Sequence, residues 1–222
     1  MNLGLLITLR RDESTSYFRH NLLNLIRLGG NTLFLASGYF QEIITYKSGV
    51  TTTYSILDDE LLSEIRSNTG IKTICVTGCM NSSSKNFQAF LSKLRREWGG
   101  TILVGTPIKN STKWHAKIAV ILNENDSGDD PISAIVGSSN LTRPAYGEYG
   151  SWNHECDVVL WDNGIVQKAN DVFKFREMNK DDYIYFDKIT DGSNEKERMK
   201  KLLEEIRKNV EFTPFNKISD EL

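Results

Sequence analysis

The chain has 222 residues, a length typical of one domain, and its 39% hydrophobic and 25% charged residues are ordinary for a globular protein. Its formal net charge of −2 gives no overall field that would attract a polyanion, so only a local cluster of cations could hold nucleic acid. Three cysteines do not suggest a disulfide framework, and the apolar run 3–9 is too short for a membrane span and lacks signal-peptide features. We therefore expect a cytoplasmic protein that does not bind membranes.

Helical and strand patterns alternate through the first half of the chain. A helical apolar period over residues 14–28 stops at Gly29-Gly30, and the apolar run 32–37 that follows is typical of a buried strand. The same patterns predict helices at 58–66 and 84–98 and strands at 71–77 and 101–104. Because this order implies right-handed crossovers, we expect an α/β fold with a mixed, largely parallel β-sheet sandwiched between helices.

The second half carries more strand than helix. Strands are predicted at 114–122, 132–136 and 156–161 and a helix at 165–175, with the polar residues 123–130 as an exposed hairpin loop. The core is expected to close there, which divides the chain into a main domain, 1–178, and a C-terminal helical extension or linker, 179–222. The tail helix, 194–209, has only a narrow apolar stripe.

The residues with the clearest chemistry are His115 and Lys117. Side chains alternate along a strand, so these two residues should emerge on the same side and meet the same ligand. The sequence Gly137-Ser138-Ser139-Asn140 then stands where the next strand ends, so its hydroxyl, amide and backbone N–H groups can converge on an anion. Together these features suit a phosphate group.

On these residues the chain resembles the phospholipase D superfamily, whose signature is His-x-Lys followed on the next strand by Gly-Ser-x-Asn. The matching residues are His115, Lys117, Gly137, Ser138 and Asn140. The family usually has Asp five positions after the Lys, where this chain has Leu122. Glu155 is placed like the acidic residue that closes the site in family members. The main domain is thus expected to be a phospholipase D-like catalytic domain.

More narrowly, residues 32–39, 114–117 and 137–142 resemble the metal-independent restriction endonucleases of that superfamily, over roughly residues 30 to 162. This resemblance implies a two-step phosphoryl transfer through a phosphohistidine, with no metal ion and no other cofactor.

The chemistry of the residues agrees with that implication. Imidazole is a good nucleophile when its other ring nitrogen is held, and Glu155 is the candidate that fixes the tautomer of His115. Lys117, Asn140 and Ser138 are expected to donate to the non-bridging phosphate oxygens, a role that a metal ion plays in other nucleases. Asp157 competes with Glu155 because alternation puts both on one face. The alternative for Ser138 and Asn140 is that they only satisfy a local turn.

The chain has a single His-x-Lys, since His20 and His154 are not followed by Lys at that spacing. The mechanism needs one histidine to attack and another to protonate the leaving oxygen, so we expect a homodimer in which two copies of His115 share one active site. No base-reading motif is recognisable, so a cutter with a defined target would need a separate recognition domain or subunit.

These expectations define a restriction-like DNA endonuclease, with two alternatives left open. One is a phosphodiesterase that acts on lipid or another phosphodiester. The other is a non-catalytic DNA-docking and dimerisation module, which is suggested by Leu122 in place of the usual Asp and by the acidic balance.

Overall fold

A computed structural model describes residues 3–12, 16–41, 43–45, 51–53, 55–78, 85–107, 117–147, 152–174, 178, 180–189 and 210–215, with residues 200, 201, 203, 204, 207 and 208. Within them, nine strands form one sheet and two short strands form a separate hairpin. Residues 114–116 of the predicted His-x-Lys strand and residues 194–199 of the predicted tail helix lie outside the described residues.

The first half of the chain alternates strands and helices as predicted, with every predicted boundary there confirmed to within three residues. Two helices begin at side-chain caps: Ser16 accepts from Arg19 N at 3.2 Å, and Asp58 accepts from Leu61 N at 2.8 Å. The elements are β1 (Leu3–Arg10), α1 (Tyr17–Arg27), β2 (Thr32–Ser37), β3 (Ile43–Thr45), β4 (Thr51–Thr53), α2 (Asp59–Ser67), β5 (Thr73–Gly78), α3 (Lys85–Glu97) and β6 (Thr101–Pro107).

The second half is richer in strands. Its elements are β7 (Ile118–Asn125), β8 (Gly128–Gly137), α4 (Arg143–Tyr146), β9 (Glu155–Asp162), α5 (Val166–Phe173), β10 (Tyr183–Ile189) and β11 (Val210–Pro214). The prediction of a loop over 123–130 is wrong, because β7 and β8 continue through those polar residues and leave only a two-residue turn, Asp126-Ser127. Backbone pairing holds this exposed end of the hairpin together without apolar side chains.

The large sheet is mixed, with the strand order β10-β1-β9-β8-β7-β2-β5-β6-β11. Its two parallel pairs are β2–β5 and β5–β6, and the other six neighbouring pairs are antiparallel. The prediction of a largely parallel sheet is therefore wrong. Parallel neighbours need a crossover such as α2 or α3, whereas the turn between β7 and β8 simply reverses the chain.

Three strands of the sheet were not predicted. The apolar run near the N-terminus, which was not predicted to be a strand, forms β1 between β9 and β10. Residues beyond 178 supply both edge strands, since β10 pairs with β1 and β11 pairs with β6. The described residues between 200 and 208 are helical. The region is thus not only helical, and the division of the chain at residue 178 stays a prediction.

Helices α1, α2, α3 and α5 pack on one face of the sheet. Side chains such as Leu25, Phe90 and Phe173 join Ile74 and Trp161 of the strands in one buried cluster. The opposite face has a smaller cluster to which the tail contributes Leu203. A complete helical layer on that second face stays a prediction. Within the part of the chain that the structure describes, none of the helices combines the length and apolarity needed to cross a bilayer.

Part of the second face is apolar and open to solvent. Five residues lie opposite one another across neighbouring strands and form what we call the open apolar row: Ile184, Ile7, Val158, Val136 and Ile118. Ile184 is 55% exposed and Val136 is 44% exposed. Val136 directly precedes Gly137, so the row runs up to the end of β8.

Candidate active site

Four central strands bring their ends to one edge of the sheet, which we call the site edge. β7 runs antiparallel to both β2 and β8, and β8 runs antiparallel to β9. The C-terminal ends of β2 and β8 therefore lie beside the N-terminal ends of β7 and β9. The residues at these ends are Ser37, Ile118, Gly137 and Glu155.

Lys117 is the last residue before β7, and it is half-buried. Its carbonyl oxygen accepts a hydrogen bond from Gly137 N at 3.2 Å, which places its backbone against the start of the Gly-Ser-Ser-Asn loop. His115 lies outside the described residues, so its role as the nucleophile stays a prediction.

Gly137 allows β8 and β9 to approach closely. A Cβ atom at this position would lie 2.0 Å from Asp157 Oδ1, 2.7 Å from Asp157 Cα and 2.7 Å from the carbonyl oxygen of Cys156. Since real Cβ atoms do not come so close to backbone, only glycine fits at the end of β8 without moving β9.

Ser138 and Glu155 form a direct hydrogen-bonded pair. The Ser138 hydroxyl donates to Glu155 Oε2 and accepts from Cys156 N at 3.0 Å. Glu155 is 7% exposed, and its other oxygen accepts from Asn153 Nδ2 at 3.3 Å. Because a hydroxyl has one hydrogen, Ser138 would have to turn away from Glu155 before it could donate to a phosphate.

Asp157 lies on the same face as Glu155 but has a different partner. It accepts from Ser139 N at 3.2 Å and from the Ser139 hydroxyl at 2.6 Å, and it is 3% exposed. Burial raises the pKa of Asp157 above its ordinary value, and the nearby Glu155 raises it further, while the hydrogen bonds from Ser139 lower it. Asp157 thus fixes the Gly-Ser-Ser-Asn loop through Ser139. Glu155 is the first residue of β9 and therefore lies nearer the site edge.

The side chain of Asn140 has a defined polarity. Tyr39 N donates to its oxygen Oδ1 at 3.2 Å, and because a backbone N–H can only donate, the accepting atom must be the oxygen. Among the described residues Asn140 Nδ2 has no partner, and the side chain is partly exposed. The amide therefore keeps two N–H groups for an anion.

Ser37 and Tyr39 are site-edge residues that sequence analysis did not assign. The Ser37 hydroxyl accepts from Leu141 N at 2.9 Å and donates to the Tyr39 carbonyl at 2.6 Å, so it ties the end of β2 to the Gly-Ser-Ser-Asn loop. Ser37 is 1% exposed. The signal in the sequence that could have identified Ser37 is a polar residue at the end of an otherwise apolar strand.

Leu122, which replaces the Asp of the family pattern, lies away from the site edge. It is fully buried in the cluster on the second face. At ~3.3 Å per residue, five residues of strand put it ~16 Å from Lys117. The substitution therefore removes no group from the site edge.

Other candidates for chemistry are few among the described residues. His154 is exposed, and its ring stands edge-to-face against Trp152 with centroids 4.8 Å apart. His20 is held far from the site edge by Phe173 O at 3.2 Å and Asn24 at 2.9 Å. No cluster of three or more His, Cys, Asp or Glu that could hold a metal ion occurs in the described part of the chain.

Comparison with known proteins adds a family match. The family model described as "Cardiolipin synthase, PLD-like domain" matches residues 42–176, more than half of the chain. No curated protein matches the chain in sequence.

The chain also matches several solved structures. NucT from Helicobacter pylori is 16% identical with a TM-score of 0.45, and the match covers 78% of this chain and 94% of NucT. Phosphatidylserine synthase from Haemophilus influenzae Rd KW20 is 12% identical with a TM-score of 0.45, covering 96% of this chain and 48% of the synthase. Yeast tyrosyl-DNA phosphodiesterase is 12% identical with a TM-score of 0.42, covering 72% and 46%. The chain spans about half the length of the last two.

Proposed function

The chain belongs to the phospholipase D superfamily, since a PLD-like domain model matches more than half of it. We propose that it is a metal-independent phosphodiesterase that cleaves DNA. The observation that carries the proposal is the amide of Asn140, whose oxygen is held by Tyr39 N so that its N–H groups remain for an anion. Lys117 lies at the same edge and supplies the positive charge.

The reaction proceeds in two displacements. In the first, a ring nitrogen of His115 bonds to phosphorus while the bond from phosphorus to the leaving oxygen breaks, and a second imidazole gives its proton to that oxygen. In the second, that imidazole takes a proton from water, the water oxygen bonds to phosphorus, and the phosphorus–nitrogen bond breaks. Both histidines return to their starting states.

The neighbouring residues stabilise the charges that develop during the two displacements. Lys117 and Asn140 donate to the non-bridging oxygens, where negative charge develops. Glu155 orients His115 and stabilises the imidazolium that forms, and the hydroxyl of Ser138, which pairs with Glu155 at rest, turns to the phosphate when substrate binds. No divalent cation is needed, because the ammonium and amide donors take its place.

The second imidazole comes from a second copy of the chain. Only one His-x-Lys is present per chain, and His20 is occupied between α1 and α5. The open apolar row is an exposed surface that a partner copy would cover, but it lies with Ile118 on the second face of the sheet and so does not by itself place the partner at Lys117. One shared active site per dimer requires a two-fold axis close to His115.

In its most specific form the activity is that of a restriction-like endonuclease in the cytoplasm. Such an enzyme needs a target-recognition domain or subunit, because the residues described above contact phosphate and carry no sequence information. Hydrolysis of a lipid phosphodiester uses the same chemistry and is the second candidate.

The experiment is cleavage of DNA in EDTA. Supercoiled plasmid and circular single-stranded DNA are incubated with the wild-type chain, with His115→Ala and with Lys117→Ala, and a short-chain phosphatidyl substrate is tested in parallel. We expect EDTA-resistant cleavage of DNA by the wild type alone. Hydrolysis of the lipid without cleavage of DNA would support the second candidate, and binding of DNA without any cleavage would indicate a docking module.

A further inference from the structure

Tyr39 places an aromatic ring at one side of the site edge. It follows β2, and its backbone is fixed at both ends of the residue, since its N–H donates to Asn140 and its carbonyl accepts from Ser37. The residue is 43% exposed, one of the few large apolar side chains of the described residues that is so open. A phosphate bound by Asn140 would therefore lie close to the backbone of Tyr39, from which this exposed side chain extends.

Trp152 and His154 place two more rings at the other side of the site edge. They precede and flank the start of β9, and their rings meet edge-to-face at 74°. Asn153 between them is fixed by its N–H to Pro144 O at 3.2 Å and by its side chain to Glu155 at 3.3 Å. Trp152 is half-buried and His154 is exposed, so the pair is both held in place and accessible.

The two aromatic positions stand on opposite sides of the phosphate-binding groups. β7 and β8 lie between β2 and β9, so the ends of β2 and β9 are three strand spacings, or ~14 Å, apart. Lys117 directly precedes β7 and Ser138 directly follows β8, the two strands in between. At the ~3.4 Å rise of one stacked DNA strand, this distance accommodates about four nucleotides.

We propose that Tyr39 and the Trp152–His154 pair stack on nucleobases on either side of the cleaved phosphate, so that the substrate is a single-stranded nucleic acid. Aromatic side chains bind bases through their faces, which are accessible in an unpaired strand and covered by neighbouring base pairs in a duplex. A phospholipid offers no planar group to these rings. The inference rests on the proposed nuclease function and favours unpaired strands over the intact duplex that a restriction-like endonuclease cleaves.

The test is binding of fluorescently labelled single-stranded DNA and of the matching duplex, followed by anisotropy, with His115→Ala added to every protein, including the wild type, so that the metal-independent reaction does not cleave the probe. The wild type should bind the single strand at least about tenfold more tightly. Tyr39→Leu and Trp152→Leu keep apolar bulk but remove the stacking face, and each should weaken single-strand binding by about tenfold while duplex binding changes less than about twofold. Phe215→Leu, at the opposite edge beside Pro214 of β11, is the matched control and should leave both affinities unchanged.

Equal affinity of the wild type for the single strand and the duplex would overturn the inference without the use of any variant. Wild-type affinity in both Tyr39→Leu and Trp152→Leu, with thermal unfolding showing that they are folded, would overturn it as well. In both cases EDTA-resistant cleavage would still support the proposed function. Failure to cleave either form of DNA would reject the function itself.

Discussion

The backbone N–H of Tyr39 donates to the side-chain oxygen of Asn140 at 3.2 Å, and this bond decides which end of the amide faces a ligand. The hydrogen bond joins the end of β2 to a loop that follows β8, two elements separated by 100 residues of chain. The loop is thus fixed before substrate binds, and its amide donors need no rearrangement to meet a phosphate.

Asn140→Asp tests this polarity. The new carboxylate still accepts from Tyr39 N, but its second oxygen replaces the donor group and repels a phosphate. We expect DNA cleavage to fall by about 10²–10³-fold, with a thermal midpoint close to that of the wild type. Initial cleavage rates and melting curves measure the two effects, and a wild-type rate in Asn140→Asp would contradict the assigned role.

Gly137→Ala tests the close approach of β8 and β9. Its Cβ would meet Asp157 and the Cys156 carbonyl at 2.7 Å or less, so the strands must separate. We expect the free energy of unfolding to fall by at least about 2 kcal/mol. Gly99→Ala is the control, because no atom lies within 4 Å of its Cβ, and it should change stability by less than about 0.5 kcal/mol. Equal denaturant midpoints for the two variants would show that Gly137 is not needed for packing.

The buried carboxyl of Asp157 gives the protein a specific dependence of stability on pH. Its pKa is raised in the folded state by burial, so the folded protein binds more protons than the unfolded chain between the ordinary pKa of 3.8 and the higher folded value. The contribution of Asp157 to stability is therefore fully present below pH 3.8 and is lost as the pH rises through the folded pKa.

Asp157→Asn removes this titration and keeps an acceptor for Ser139 N. Denaturant unfolding from pH 4 to pH 7 should show that the stability of the wild type relative to Asp157→Asn declines as the pH rises. Ser139→Ala removes a hydrogen bond that lowers the pKa of Asp157, so it should strengthen the decline. A constant difference between wild type and Asp157→Asn over this range would refute the assigned shift.

Mixing experiments test whether two chains share one site. When equal amounts of wild type and His115→Ala are unfolded together and refolded, random pairing makes about a quarter of the dimers fully wild type. If each dimer needs both copies of His115, activity should fall to about that quarter. Activity that falls only to half would show that each chain acts alone, and His154 at the site edge would then be the candidate for the second imidazole.

Local elements of the fold were predictable because their signals are local. The apolar period of α1, its cap at Ser16 and the apolar run of β2 all lie within a few residues of the element they define. Strand direction was not predictable, because it depends on which strands become neighbours. β1 pairs with strands about 150 and 180 residues further along the chain, and no pattern within β1 indicates either partner.

The site edge was predictable in part. The spacing of the Gly-Ser-Ser-Asn loop after β8 indicated that it would meet Lys117, and the structure brings Lys117, Ser138, Asn140 and Glu155 to one edge. The alternation of side chains could not separate Glu155 from Asp157, because both point to the same face. The structure distinguishes them by the serine that each one binds.

The stereochemical course at phosphorus is the most direct test of transfer through a phosphohistidine. A DNA substrate with a chiral phosphorothioate at the cleavage position is hydrolysed in EDTA and in oxygen-18-labelled water, so that the phosphorus of the product is chiral, and its configuration is determined. Transfer through a phosphohistidine at His115 consists of two in-line displacements, each of which inverts the configuration at phosphorus, so we expect net retention. Net inversion would mean that water attacks the phosphodiester directly, and it would contradict the proposed mechanism.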